Sequence, residues 1–245
     1  MIKTLALILK KQNIGETDRI VTVFSPTLGK KRVIARAVRR TTSKLAGHLD
    51  TFMLSQLILT EDADLPKVTS AVLIESFENV RESLPKLERA FAVSKIVERV
   101  ILEDVSQQSI FQLTLDALSR INSDEAWPTT WLMFLSELAH RLGLQVTDFH
   151  CSVCAKEIRD RCYWLPNDRI FRCQECAATS QSQVMERVHL SINSVKLLHL
   201  LRNKSYSVIR PVRIPSAVAK EVEELFLREV TQWFNKPWSS YASLG

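Results

Sequence analysis

Four cysteines in two Cys-x-x-Cys pairs, Cys151 with Cys154 and Cys173 with Cys176, carry the most specific chemistry in the chain, and eighteen residues separate the pairs. A two-residue gap lets one tight turn aim two thiolates at a common centre. The longer loop brings the second pair round from the other side. Four soft thiolates at this spacing suit one tetrahedral Zn²⁺ and leave no open coordination position. The expected role is structural: a closed site folds the chain and takes no substrate. Two disulfides or a rubredoxin-like iron cage would also use four cysteines. Ala155 and Ala177 follow the second cysteine of each pair, where tight knuckles commonly carry glycine. Cys162 in the connecting loop reads as a buried apolar thiol, and His150 beside Cys151 as a loop residue.

A second constellation is basic. Residues 1–60 hold 11 Lys and Arg against 3 Asp and Glu, whereas the rest of the chain nets −2 within an overall charge of +6. The positive excess therefore sits in the first quarter, as expected of a polyanion-binding domain on a near-neutral scaffold. Across Lys30–Ala37 the residues Lys30, Arg32, Ile34 and Arg36 alternate with Lys31, Val33, Ala35 and Ala37. In a strand, Arg32 and Arg36 then share one face begun by Lys30, while Val33, Ala35 and Ala37 turn to the core. Arg39, Arg40 and Lys44 extend the basic run into the following loop, so Lys30, Lys31, Arg32, Arg36, Arg39, Arg40 and Lys44 are the candidate nucleic-acid-binding residues. Alternate residues on one strand face lie roughly 6–7 Å apart, near the phosphate repeat of an extended nucleic-acid strand. Only Phe24, Phe52 and Phe77 supply rings in the first 80 residues. Binding is then expected to be electrostatic, leaving bases free to pair.

Catalysis finds little footing. A Walker A loop needs glycine five positions before Gly29–Lys30, and Phe24 stands there. His48, His140, His150, His189 and His199 are scattered, and Glu223–Glu224 reads as a solvated helix face. The expectation is a protein that is not an enzyme.

These groups must be positioned by two kinds of element. Thr4–Lys11, Arg19–Ser25, Lys30–Val38, Thr51–Thr60 and Lys67–Phe77 read as five strands with hairpin-length links, apart from the basic Arg39–Leu49 loop. That pattern predicts an OB-fold β-barrel over residues 1–80, with an SH3-like barrel as the competing assignment. After Leu84–Pro85 the apolar period becomes helical: Leu87, Ala90, Phe91, Ser94, Val97 and Ile101 share a face, and Ile110–Arg120 follows. Pro128 opens and Gly143 closes a third helix bearing Trp131, Leu135, Leu138 and Leu142. Ser191 caps a helix running to Arg202, and Ser216 one running to Phe234. The expected architecture is α+β and multidomain: the barrel at 1–80, an α-helical domain from 81–150 and 178–245, and a zinc module at 151–177 inserted within it.

Apolar content of 46% and charged content of 24% are ordinary globular values. The apolar run Leu5–Leu9, closed by Lys10 and Lys11, is too short for a signal peptide or a membrane span. Thiols kept for metal point to a cytoplasmic location with no membrane contact.

Gly15-Glu-Thr-Asp18, Val23-Phe-Ser-Pro26 and Gly29-Lys-Lys-Arg-Val-Ile-Ala-Arg36 resemble the opening of the bacterial RecO recombination-mediator proteins. Ser43–Leu49, Leu142-Gly143 ahead of Cys151, and the closing Pro237-Trp-Ser-Ser240 are also similar to that family. The resemblance implies a non-enzymatic protein of DNA repair and homologous recombination that binds ssDNA and dsDNA and anneals complementary strands. It implies action with RecR to help load RecA onto DNA coated by single-strand-binding protein, and contact with that protein's acidic, apolar C-terminal tail. It further implies an N-terminal OB-fold, a helical C-terminal domain and a zinc module. Ala37 stands where the family commonly has glycine. The helical faces offer Leu198, Leu201, Leu225, Phe226 and Trp233 either as a groove floor for the tail or simply as core. Arg202, Lys204, Arg210 and Arg213 form the expected cationic rim.

One alternative is a zinc-ribbon adaptor of transcription or RNA metabolism, binding through Lys156, Arg159, Arg161, Arg169 and Arg172. Glu157, Asp160, Asp168 and Glu175 leave that loop at only +1, which favours the first reading.

Overall fold

The computed structural model describes residues 1–61, 65–123, 125–144, 146, 148–179 and 187–233, with backbone alone for 231–233. The chain divides into two units, Met1–Glu125 and Ala126–Gly245.

In the first unit, β1 (Ile2–Ile14), β2 (Asp18–Ser25), β3 (Gly29–Ala35), β4 (Leu54–Leu59) and β5 (Val68–Glu75) form one antiparallel sheet in the order β3-β2-β1-β4-β5. Strand alternation sends Ala6, Ile8, Val21, Val23, Val33, Ala35, Leu57 and Leu59 to a common core, closed by Val38, Leu49 and Met53 from the connecting loop. The sheet curls until its edges meet. Ile34 bridges Lys67 in parallel, with Ile34 N donating to Pro66 O at 2.8 Å. The expected barrel is thus a curled OB-type sheet whose edges touch at this bridge, not along a full ladder.

Three helices complete this unit: α1 (Glu78–Glu82), α2 (Leu84–Val100) and α3 (Gln108–Asn122). The predicted stripe of α2 is buried at Ala90, Ser94 and Val97, while Phe91 lies at the surface with its ring centroid 5.0 Å from that of Phe52. Phe24 meets Phe111 of α3 edge to face at 5.3 Å and is fully buried. Helices therefore cover the outer sheet face at the Leu7–Phe24–Lys30 row, since those three residues pair across β1, β2 and β3.

The second unit contains α4 (Trp127–Arg141), β6 (Cys162–Leu165), β7 (Ile170–Cys173), α5 (Gln174–Thr179), β8 (Val188–Leu190), α6 (Ile192–Asn203), α7 (Tyr206–Ile209) and α8 (Ser216–Trp233). Proline opens α4, and Gly143 follows it at φ +73°, a left-handed stop that suits glycine. Ser191 caps α6, its Oγ accepting from Ser194 N at 3.3 Å. The three short strands form an antiparallel ribbon in the order β7-β6-β8. Trp164 and Phe171 lie on its inner face, and no helix among the described residues is long and apolar enough to cross a membrane. Phe234 and the Pro237–Ser240 motif lie outside the described residues.

Candidate nucleic-acid interface and metal centre

Beyond the helix-covered row, the outer face of β1–β3 opens. Lys10 pairs with Thr22 and Thr22 with Arg32, so one row across three strands carries a cation at each end. Lys10 and Arg32 are both exposed, and neither has an ion-pair partner among the described residues. Ile14 and Asp18 pair on the same face nearer the hairpin tip, and Arg36, just beyond β3, reaches Asp18 there. Phe24, Phe52 and Phe77 are at most 5% exposed, so the first 80 residues present no ring for stacking.

Sequence reasoning missed Lys10. Counting by twos from the core residues Ala6 and Ile8 places Lys10 inside, but the register shifts between Ile8 and Lys10. Such a bulge inserts one extra residue and exchanges the faces beyond it. The doubled lysine at 10–11 was the available signal: two adjacent charges cannot both enter a core.

Arg36, Arg39 and the loop after β3 are fixed by the Gly15–Asp18 turn. Asp18 accepts from Ala37 N at 2.8 Å and from Arg36 Nη1 at 2.5 Å. The Ala37 amide, then the Arg36 guanidinium, hold the Asp18 carboxyl below the usual carboxylate range. Arg39 N donates to Thr17 O at 3.0 Å, and Arg39 Nη1 to Gly15 O at 3.2 Å. Ala37 is forced to φ +51°, a left-handed conformation that costs a non-glycine residue about 1–2 kcal/mol. Expected on the core face, Ala37 is instead half-buried at this turn, because β3 ends at Ala35. Arg40 and Lys44 are exposed on the loop beyond it.

The other end of the basic strand is occupied. Lys30 is half-buried, and its Nζ donates to Glu98 O at 3.2 Å in the last turn of α2. There an ammonium complements carbonyls that have no helical partner. Lys31 forms an ion pair with Asp104. The segment after α2 lies against the β3 edge: Lys30 N donates to Leu102 O at 2.9 Å, and Gln107 N to Pro26 O at 3.1 Å. Gly29, at φ +63°, admits this strap because a Cβ there would lie 2.4 Å from the carbonyl oxygens of Leu102 and Val105. Lys30 and Arg32 share a face, as the period predicts, but only the Arg32 end of that face is open.

The four cysteines converge in the second unit. Their sulfurs all lie within 4.8 Å of one another, and Cys154 Sγ is 3.9 Å from Cys173 Sγ. Sulfurs around a tetrahedral ion at a zinc–thiolate bond of about 2.3 Å stand roughly 3.8 Å apart, so the donor set fits. The first knuckle is a turn in which Ala155 N donates to Cys151 O at 2.9 Å, with Ala155 at φ +57° where glycine is commonly found. In the second, Cys173 ends β7 and Cys176 lies on α5. Cys151 is buried, yet amide donation from Cys154, Cys173 and Val153 overcomes that burial and brings its thiol down to about 6. Hydrogen bonding to Cys173 and Cys154 pushes the Cys176 thiol up to about 12. Crowded thiols resist ionising together, and a bound dication reverses that balance. Cys162, fully buried on β6 with its thiol pushed up to about 12 by burial, stands outside this set. His150 is exposed and bonded to Asp148 at 2.7 Å.

Leu198, Leu201, Leu225 and Phe226 are at most 4% exposed and belong to the core, so they form no open groove floor; helix packing claims them first. The Trp233 side chain lies outside the described residues. Arg202, Lys204, Arg210 and Arg213 are exposed, with Val208 and Val212 beside them at 50% and 39% exposure. Glu223 corrects the solvated reading: it accepts from Trp131 Nε1 at 2.7 Å, whereas Glu224 pairs with Arg228 on the surface.

Comparison with known proteins agrees with this arrangement along the chain. The family models described as Recombination protein O N terminal and Recombination protein O C terminal match residues 1–77 and 81–233. DNA repair protein RecO of Roseiflexus sp. (strain RS-1) is 27% identical over 234 residues, covering 94% of this chain and 81% of that protein. DNA repair protein RecO of Dehalococcoides mccartyi is 29% identical over 222 residues, covering 90% and 86%. The relative from Acetivibrio thermocellus, of the same name, is 26% identical over 239 residues, covering 97% and 94%. The chain belongs to the recombination protein O family.

Proposed function

We propose that this protein acts in DNA repair and homologous recombination by holding the backbones of single and double strands and annealing complementary strands. The observation that carries this reading is the exposed Lys10–Thr22–Arg32 row on a sheet face without rings. Cations there neutralise phosphates whatever the sequence, and with no stacking partner on the sheet the bases stay free to pair. Arg36, Arg39, Arg40 and Lys44 continue the track along the clamped loop.

The ion in the Cys151–Cys154–Cys173–Cys176 site is Zn²⁺ in a structural role, because an all-thiolate closed set at this size favours it and offers no catalytic vacancy. The protein is not an enzyme. It works in the bacterial cytoplasm at the nucleoid, with RecR, to help RecA onto DNA coated by single-strand-binding protein. Arg202, Lys204, Arg210 and Arg213, with Val208 and Val212, offer the charge and apolar contact suited to that protein's acidic tail.

The test is annealing of two complementary oligonucleotides, followed by quenching of a paired dye. The purified protein should speed pairing without nucleotide and contain one zinc per chain, and Cys151→Ser should lose the metal while Cys162→Ser keeps it. No acceleration over protein-free DNA would contradict the annealing role, and a metal-free parent would contradict the zinc assignment.

A further inference from the structure

The ribbon of the second unit has a face that the cysteine cluster does not use. Cys162, Trp164, Phe171, Val188 and Leu190 take the inner side and are buried. On the outer side the register sets Arg172, Tyr163 and His189 abreast across β7, β6 and β8. Adjacent strands lie about 4.8 Å apart, so this row spans roughly 10 Å. Tyr163 is partly exposed, and the Arg187 guanidinium carbon stands 4.7 Å above its ring. His189 is exposed and meets the ring edge-on at 5.5 Å.

We infer that this row is a second nucleic-acid contact, a platform on which an unpaired base of a single strand stacks while a flanking phosphate meets the exposed Arg187. The inference rests on the DNA-binding reading of the first unit and supplies what that unit lacks. The sheet offers cations and no exposed ring, whereas the ribbon joins a ring to cations. Aromatic and guanidinium planes take any base, because every base has a π-face. A base paired within a duplex cannot reach such a surface, so the platform selects single strands. The row itself contains no carboxylate. Glu221 on α8 is turned to the start of α6, where it accepts from Ser191 N at 2.7 Å and Ser194 Oγ at 2.6 Å.

Tyr163→Leu keeps apolar bulk and removes the ring. Binding of the full metal-loaded chain to oligo-dT and to a hairpin duplex is compared by fluorescence anisotropy. The variant should bind oligo-dT at least about fivefold more weakly, the lower end for one lost base–ring stack, and keep its duplex affinity. Arg187→Gln should flatten the single-strand salt slope by about 0.7, one phosphate's worth. Tyr163→Phe, which retains the ring, should bind both as the parent does; a loss there would show that the hydroxyl or the fold matters instead. Equal loss on both DNAs, or no loss on either, would overturn the platform. A parent that binds neither DNA would sink the underlying DNA-binding reading instead, a result separable from loss of single-strand preference alone.

Discussion

Trp164 on β6 donates its indole N–H to Glu229 on α8 at 2.8 Å, and Arg169 donates to the other oxygen of that carboxylate at 2.9 Å. Glu229 is only 2% exposed, so a single carboxylate joins the cysteine-bearing ribbon to the helix behind it. The same helix reaches the α6 N-terminus through Glu221 and α4 through Glu223. Glu221, Glu223 and Glu229 are thus three separate ties from one helix, and of the Glu223–Glu224 pair only Glu224 stays on the surface.

Burial raises the Glu229 carboxyl above its usual value, against the opposing pull of Trp164 and Arg169. A raised carboxyl binds its proton more tightly when folded, so its contribution is greatest below the ordinary carboxylate range and declines as pH rises through the folded value. Glu229→Gln should therefore gain stability relative to the parent as pH rises through that window. Glu229→Ala, which strands a buried indole N–H, should cost about 2–3 kcal/mol at neutral pH. Urea melts of the three proteins across pH check both signs.

Asp18 behaves oppositely. Its lowered carboxyl stabilises the fold above the unfolded value and loses that effect as pH falls through the folded one. Asp18→Asn should remove this acid-side dependence and weaken the pairing with Arg36. Hydrogen exchange at the Ala37 amide reads it out: faster exchange in the variant is expected, and parent-like protection would show that the turn does not depend on the charge.

The legible part of this molecule was local. Cysteine spacing and period-two alternation around Arg32 are set within a few residues, so the four-cysteine cluster and one end of the basic row could be read directly. Lys10 required the β1 bulge, of which the doubled lysine at 10–11 was the only trace in the sequence. Lys30 and Lys31 required the strap, whose Asp104 lies 73 residues from Lys31. The buried state of Leu225 and Phe226 follows from helices packing together, which periodicity alone does not distinguish from an open groove. Strands give way to helices near Leu84, whereas the division into units falls at Glu125 and Ala126, a matter of which elements pack together.

The strap bounds the open cationic stretch of β3 on which the proposed DNA track rests. Asp104→Asn should release Lys31 to a phosphate and steepen the duplex salt slope by about 0.9, one counterion's worth. An unchanged slope would mean that Lys31 stays out of reach of DNA. Gly29→Ala, by contrast, should destabilise the first unit, since the added methyl meets two backbone carbonyls at 2.4 Å.

The central claim is that the Lys10–Thr22–Arg32 row holds the DNA backbone. Its most direct test is a salt titration of DNA binding by the Lys10→Ala, Arg32→Ala double variant, with several unrelated duplexes. The account predicts weaker binding to all of them alike and a slope of log affinity against log salt flatter by about 2 units, near 0.9 for each phosphate released. A slope equal to the parent's, or a loss confined to one sequence, would contradict it.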